Sequence, residues 1–244
     1  ENIIYLGDTA RVPYGDKSPE TVLRFGCENA HFLAGKNVKL IIVACNTVSS
    51  LAMDGIRKKF EDENIKIPFI GVLEAGVETI IKEKIKDIAV IGTRATITSK
   101  AYCSEFKKKA EISVRSIACP LFAPIVEEGL AEHEIAKSAF KFYLNELKEQ
   151  PPEALLLGCT HYPLLINSLQ KFLPETVKII DSAHAIANFV EKYLANNKLK
   201  NQSGSEGYEK FFVTDSPEIF TRQAEKFLGR KVRDIEKAVI DGMG

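Results

Sequence analysis

The sequence predicts an α/β protein of two similar lobes, each a mainly parallel sheet flanked by helices, with the functional site in the cleft between them. Three observations predict it. Short β-branched runs alternate with amphipathic stretches of about 12–17 residues along the 244-residue chain, the spacing of repeated βα units. The runs are apolar at consecutive positions, as in strands covered by helices on both faces. One strand–turn–helix pattern also occurs twice, as LIIVACNT (40–47) and ALLLGCTH (154–161). The two copies lie roughly 110 residues apart, about one small domain.

Strands are expected at 2–6, 40–45, 68–73, 87–91, 113–118, 154–157, 178–180 and 210–214, where β-branched and aliphatic residues cluster. Helices are expected at 18–34, 48–62, 75–84, 98–109, 123–129, 133–148, 162–172, 183–196 and 216–228. Ser18-Pro19 supplies a cap and a first-turn proline for the first helix, Thr98 or Ser99 caps the fourth, and Ser216-Pro217 opens the last. The segment NNKLKNQSGSEG (196–207) reads as a loop, and a mobile one. Lys107, Lys108 and Lys109 read as a solvated helix face. Residues 1–72 plus 184–244 are expected to form the first lobe and residues 73–183 the second. Three strands lead up to the second copy of the repeat, but only two to the first. The repeat therefore predicts a further βα unit ahead of Glu1, in a natural chain that begins earlier.

Composition removes several function classes. Hydrophobic residues make up 45% and charged residues 27%, so the chain is globular rather than a disordered tail. Lys and Arg number 33, as do Asp and Glu, which leaves no basic excess for a nucleic-acid partner. The apolar runs fall far short of the roughly 20 residues of a membrane helix, so no membrane partner is expected. The five cysteines, Cys27, Cys45, Cys103, Cys119 and Cys159, are odd in number and include no CxxC pair. That argues against a disulfide framework or a zinc site and for the cytosol. No two of the four histidines have metal-ligand spacing, so no metal is expected.

Ligands of open parallel sheets bind beyond the carboxyl ends of the strands. Four clusters fall there: Gly7–Gly15 (GDTARVPYG), Cys45-Asn46-Thr47, Gly92–Thr96 (GTRAT) and Cys159–Pro163 (CTHYP). A helix start follows each of the last three, offering free N–H groups to a carboxylate or phosphate and lowering a nearby thiol's pKa. A lone free cysteine is usually a small buried hydrophobe. Two in matching strand–Cys–polar contexts point to function. Cys27, Cys103 and Cys119 lack such partners and read as buried; His31, His133 and His184 read as ordinary helix residues. His161, two residues past Cys159, is close enough to exchange or tune its proton. Thr93 and Thr96 form either a turn and helix cap or a pair of hydroxyls for an anion. Pro13-Tyr14-Gly15 forms either a turn or a row of backbone donors. Two thiols on opposing lobes suit a two-base reaction: one removes a proton from one face of a small molecule and the other donates a proton to the opposite face, with no cofactor. Donors from the loops would stabilise the carbanion-like transition state.

Taken together, GDTARVPYG (7–15), VACNTVS (43–49), GTRATITS (92–99) and LGCTHYP (157–163) resemble the cofactor-independent aspartate/glutamate racemase superfamily, over essentially the whole chain. Aspartate-acting relatives tend to carry Glu after the second Cys-Thr; His161 stands here, so the resemblance favours glutamate as the small-molecule substrate. It implies that Cys45 and Cys159 are the catalytic acid/bases, Cys45 handling the D-enantiomer's proton and Cys159 the L-enantiomer's. It implies that Asp8, Glu127 and His161 assist turnover or shape the pocket. By the same resemblance Pro13, Tyr14, Gly15, Asn46, Thr47, Thr93, Thr96, Thr160 and His161 surround the substrate. It further implies no cofactor, a homodimer, the bacterial cytoplasm, and supply of D-glutamate for peptidoglycan. Family members open with an Asp-Ser-Gly-x-Gly-Gly loop whose Asp and Ser contact the substrate amine. Nothing here matches it, in agreement with the unit missing from the repeat. A non-catalytic binding protein on this scaffold would not need both cysteines. A thiol redox pair would need Cα atoms within about 7 Å. A pyridoxal phosphate enzyme would need a lysine at a strand end beside a phosphate loop.

Overall fold

The computed structural model describes residues 1–204 and 206–240. The first part of the chain forms β1 (Ile3–Gly7), α1 (Pro19–Ala34), β2 (Ile41–Val43), α2 (Asn46–Leu51), α3 (Met53–Asp62) and β3 (Phe69–Gly71). The middle forms α4 (Val72–Lys82), β4 (Asp87–Gly92), α5 (Arg94–Thr98), α6 (Ala101–Lys109), β5 (Ser113–Ala118), α7 (Phe122–Glu127), α8 (Glu134–Leu144), α9 (Glu146–Glu149) and β6 (Ala154–Gly158). A 3-10 turn (Tyr162–Leu165) then leads into α10 (Ile166–Phe172), β7 (Lys178–Asp181), α11 (Ser182–Asn196), β8 (Glu209–Val213), α12 (Pro217–Leu228) and β9 (Ile235–Lys237).

β4 is the heart of one sheet, ordered β5-β4-β6-β7 with every pairing parallel. Alternate residues of a strand point to opposite faces, and both faces here are dry. Ala89, Ile91, Leu155 and Leu157 pack with Phe122, Phe140, Tyr162 and Leu165 on one side. Ile88, Val90, Ala154 and Leu156 pack with Leu73, Val77, Tyr102 and Phe106 on the other. This is why β4 and β6 read as continuous apolar runs rather than as alternating ones.

The remaining strands form two parallel sheets, β1-β8-β9 and β2-β3, where the sequence suggested one. β8 returns late in the chain to pair with β1, from Ile3 opposite Glu209 to Gly7 opposite Val213. A separate core lies under α1, α2 and α3, built from Val22, Phe25, Ile56, Phe60 and Phe69. The carboxyl ends of β1, β2, β4 and β6 lead directly into the four clusters singled out above.

Local detail departs from expectation at several points. The stretch 48–62 is two helices, because Ala52 leaves helical dihedrals between them. The stretch 98–109 is replaced by α5 and α6, separated by Lys100 in a left-handed conformation. Thr93 caps α5, its hydroxyl accepting from the Thr96 N–H; at the start of α6 the cap position is Lys100, and the Ser99 hydroxyl accepts from the Ala101 N–H. Ser216 stands at the cap of α12 but makes no capping bond, whereas Ser18 caps α1 as expected. The stretch 133–148 breaks at Asn145. β9 was not expected, since three residues with two charges carry little strand signal. Cys119 is buried, but Cys27 and Cys103 are only half-buried. His133 caps α8 through its ring, and His184 pairs with Asp181. The polar segment past α11 is irregular up to β8, and its Ser205 lies outside the described residues.

Candidate active site

β2 ends two residues before Cys45, which sits at the N-cap of α2. There the N–H groups of Val48 and Thr47 and the Thr47 hydroxyl all address the sulfur. Burial nonetheless pushes the thiol's pKa up, and the nearby Cys159 adds to the rise. Cys45 is therefore a thiol at neutral pH, suited to give a proton. The two sulfurs lie close enough to feel each other's charge, and both cysteines are unbridged.

Cys159 follows β6 and is buried. No α-helix begins at once behind it, contrary to expectation. The chain first makes the 3-10 turn, anchored by the buried Tyr162, whose hydroxyl donates to the Cys119 carbonyl at 2.8 Å. The imidazole of His161 takes the place of a helix end. Its Nδ1 stands 3.7 Å from the Cys159 sulfur, and its Nε2 stands 2.9 Å from Glu127 Oε1 at the end of α7. Burial works against a charge on this ring. The bonds to Cys159 and Glu127 more than offset it, so its pKa is pushed up to about 9. The same bond from His161 lowers the Glu127 carboxyl. The imidazole is thus held between the Cys159 sulfur and the Glu127 carboxylate. α12 brings Phe227 edge-on to the imidazole, with ring centroids 6.4 Å apart.

A bridge of hydroxyls joins the two sides. Thr47 Oγ1 lies 3.1 Å from Thr93 Oγ1 and 3.4 Å from Thr96 Oγ1. The Gly15 carbonyl accepts from the Ala95 N–H at 3.1 Å. Gly15 is small for a reason. A Cβ there would lie 2.8 Å from the Thr93 Cβ and 3.0 Å from its Cγ2. Gly15→Ala is expected to displace Thr93 and lower kcat/KM by about ten- to a hundredfold, since small misplacements near the reacting atoms carry such costs. Steady-state kinetics beside a melting curve checks it; a fully active, stable variant would show that the Thr93 position is immaterial.

Asp8 acts one step back. Its carboxylate is engaged by Arg11, Tyr14, Asn29 and Thr214. Arg11 in turn binds Glu28 and Asn29. This half-buried network fastens the 8–15 loop to α1 and to the end of β8. The Val12–Pro13 peptide is cis. Pro13 and Thr160 are exposed, and Asn46, Thr47 and Thr96 are buried. Glu28, Asn29, Tyr102 and Thr214 did not stand out in the sequence, because their partners come from remote segments, and the bonds of Arg11 to Glu28 and Asn29 were hidden for the same reason. Among the described residues, no three His, Cys, Asp or Glu side chains gather as metal ligands, and no helix is long and apolar enough to cross a membrane.

Comparison with known proteins shows the family of the chain. Residues 3–190 match the Asp/Glu/Hydantoin racemase family. The chain is 40% identical over 243 residues to the glutamate racemase of Geobacter metallireducens, covering 99% of this chain and 88% of that protein. It is 45% identical over 232 residues to the glutamate racemase of Aquifex aeolicus, covering 95% of this chain and 85% of that one. The crystal structure of glutamate racemase from Francisella tularensis, in complex with D-glutamate, superposes with a TM-score of 0.89 at 39% identity, covering 99% of this chain and 89% of that one.

Proposed function

The chain belongs to the Asp/Glu/hydantoin racemase family, and from that premise we propose that it interconverts L- and D-glutamate by proton transfer between two cysteines. The observation that carries the reading is the pair of thiols at equivalent strand ends, near enough to interact, with a hydroxyl bridge between their lobes. Relatives at 40–45% identity that are named glutamate racemase support the choice of substrate.

For the L-enantiomer, the Cys159 thiolate takes the α-proton while its charge is balanced by the His161 imidazolium. The electron pair of the broken C–H bond spreads into the α-carboxylate. The Cys45 thiol then delivers its proton to the opposite face. Cys159 is left as a thiol and Cys45 as a thiolate, ready for the reverse reaction or for re-equilibration with solvent. Thr93, Thr96, Asn46 and the backbone of Tyr14-Gly15 would hold the carboxylates, and hydrogen bonds at the α-carboxylate strengthen as charge builds there. All the proton acceptors in this scheme belong to the chain itself, so it calls on no cofactor.

The same proposal divides the chain into residues 1–72 plus 184–244 around Cys45 and 73–183 around Cys159; the return of β8 to β1 supports it. It also includes a homodimer working in the bacterial cytoplasm, where D-glutamate feeds peptidoglycan. Circular dichroism of L- and D-glutamate incubated with the protein, reductant and a chelator tests the activity. Both samples are expected to lose their signal. A stable signal from glutamate, with loss from aspartate, would replace the substrate; loss from neither would leave a binding protein.

A further inference from the structure

Asn46 is 2% exposed, and its amide is only half used. The Tyr102 hydroxyl donates to Oδ1 at 2.6 Å, while Nδ2 is buried with no partner among the described residues. Leaving a buried donor unused is costly unless something arrives to accept from it. The opposite orientation of the amide would be worse. A phenol accepting from Nδ2 would leave both its own proton and the amide oxygen without partners. Tyr102 thus decides which end of Asn46 is free.

Tyr102 is placed to do this for both halves of the site. It stands on α6, and its ring lies in the core of the Cys159 lobe beside Leu73, Val77, Val90 and Leu156. A Cβ at Gly158, the residue before Cys159, would come within 3.4 Å of the Tyr102 ring. Its hydroxyl crosses to Asn46, the residue after Cys45. One rigid side chain therefore stands beside the residue before Cys159 and bonds to the residue after Cys45.

We propose that Tyr102 is a positioning residue for the racemisation. By donating to Asn46 Oδ1 it locks the amide with Nδ2 turned into the cleft as a hydrogen-bond donor for the substrate's α-carboxylate. The proposal rests on the two-cysteine reading and deepens it. It explains why a tyrosine, rather than a phenylalanine of nearly the same shape, stands in an otherwise apolar core. Without the hydroxyl the amide is free to present its oxygen, which repels a carboxylate.

A double-mutant cycle on the full chain tests it. Tyr102→Phe, Asn46→Ala and the double variant are assayed for racemisation in both directions, each well below its own unfolding midpoint so that lost stability does not enter. Tyr102→Phe is expected to lower kcat/KM by about tenfold and Asn46→Ala by up to about a hundredfold, the range for a buried hydrogen bond to a charged group. The double variant is expected to match Asn46→Ala alone, because Tyr102 acts only through that amide. A Tyr102 that merely packs the core would cost the same factor in both backgrounds, and that result overturns the proposal, as would wild-type kinetics for Tyr102→Phe. Should Tyr102→Phe fold too poorly to assay, Asn46→Asp serves instead. Tyr102 would then hold one carboxylate oxygen and leave the other facing the substrate, so KM is expected to rise at least about tenfold, and an unchanged KM contradicts the proposal. An active wild type with additive effects refutes the role of Tyr102 alone; an inactive wild type refutes the racemase reading and this inference with it.

Discussion

Cys45→Ser and Cys159→Ser are each expected to lower kcat/KM for glutamate racemisation by about a thousandfold or more, the upper range for removing a positioned acid or base. The hydroxyl fits the same space, so the fold should survive, but it is a far weaker acid and a poor proton acceptor. The loss must be equal from either enantiomer, because the two have equal free energy in water and a catalyst cannot change their ratio. Exchange of the α-proton with D₂O will not be symmetric. In Cys45→Ser the remaining Cys159 can still take and return the proton of L-glutamate, while D-glutamate is left without its base. Cys159→Ser should show the mirror image. Chiral chromatography and proton NMR on both variants check this, and either variant within about tenfold of the wild type would remove that thiol from its role.

The second large effect concerns the His161–Glu127 pair. His161→Gln is expected to lower kcat/KM about a hundredfold, more from L-glutamate binding and deprotonation than from folding, since the imidazole touches Cys159 directly. Glu127→Gln acts through pH. His161 has a pKa pushed up to about 9, with the bond to Glu127 among the causes. Its reference value is about 6.5. The stability this pair contributes is therefore fully present below about pH 6.5 and is lost as pH rises through about 9. Removing the carboxylate lowers the imidazole's pKa, so the alkaline limb of kcat/KM should move to lower pH. Melting midpoints should also fall less between pH 7 and 10 in Glu127→Gln than in the wild type. Identical pH profiles for the two proteins would show that Glu127 does not govern His161.

Much of the fold was legible because parallel strands announce themselves. Asp87–Gly92 and Ala154–Gly158 are apolar at every buried position, and no other common element reads that way at that length. The candidate site was legible where chemistry sits at a strand end: Cys45 and Cys159 each close an apolar run, and His161 is two residues away. The features that were hidden depend on distant partners. Tyr102 reads locally as one more core residue of an amphipathic helix, though a buried tyrosine must place its hydroxyl somewhere. Arg11 looks like a loop charge until Glu28 and Asn29 of α1 come up beside it. The helix break at Ala52 carries no glycine or proline to announce it. The 3-10 turn after Cys159 was missed because YPLL reads equally well as a first helical turn with proline near its start.

The central claim is that two groups, one on each face, move the proton. L-glutamate is incubated in D₂O with a chelator and stopped at a few per cent conversion, and the D-glutamate formed is separated and weighed by mass spectrometry. Two thiols predict that it carries deuterium at the α-carbon, because the proton leaves on Cys159 and the new one comes from solvent-equilibrated Cys45. D-glutamate that keeps its original α-proton would mean that a single group carries it from face to face, and would contradict the account.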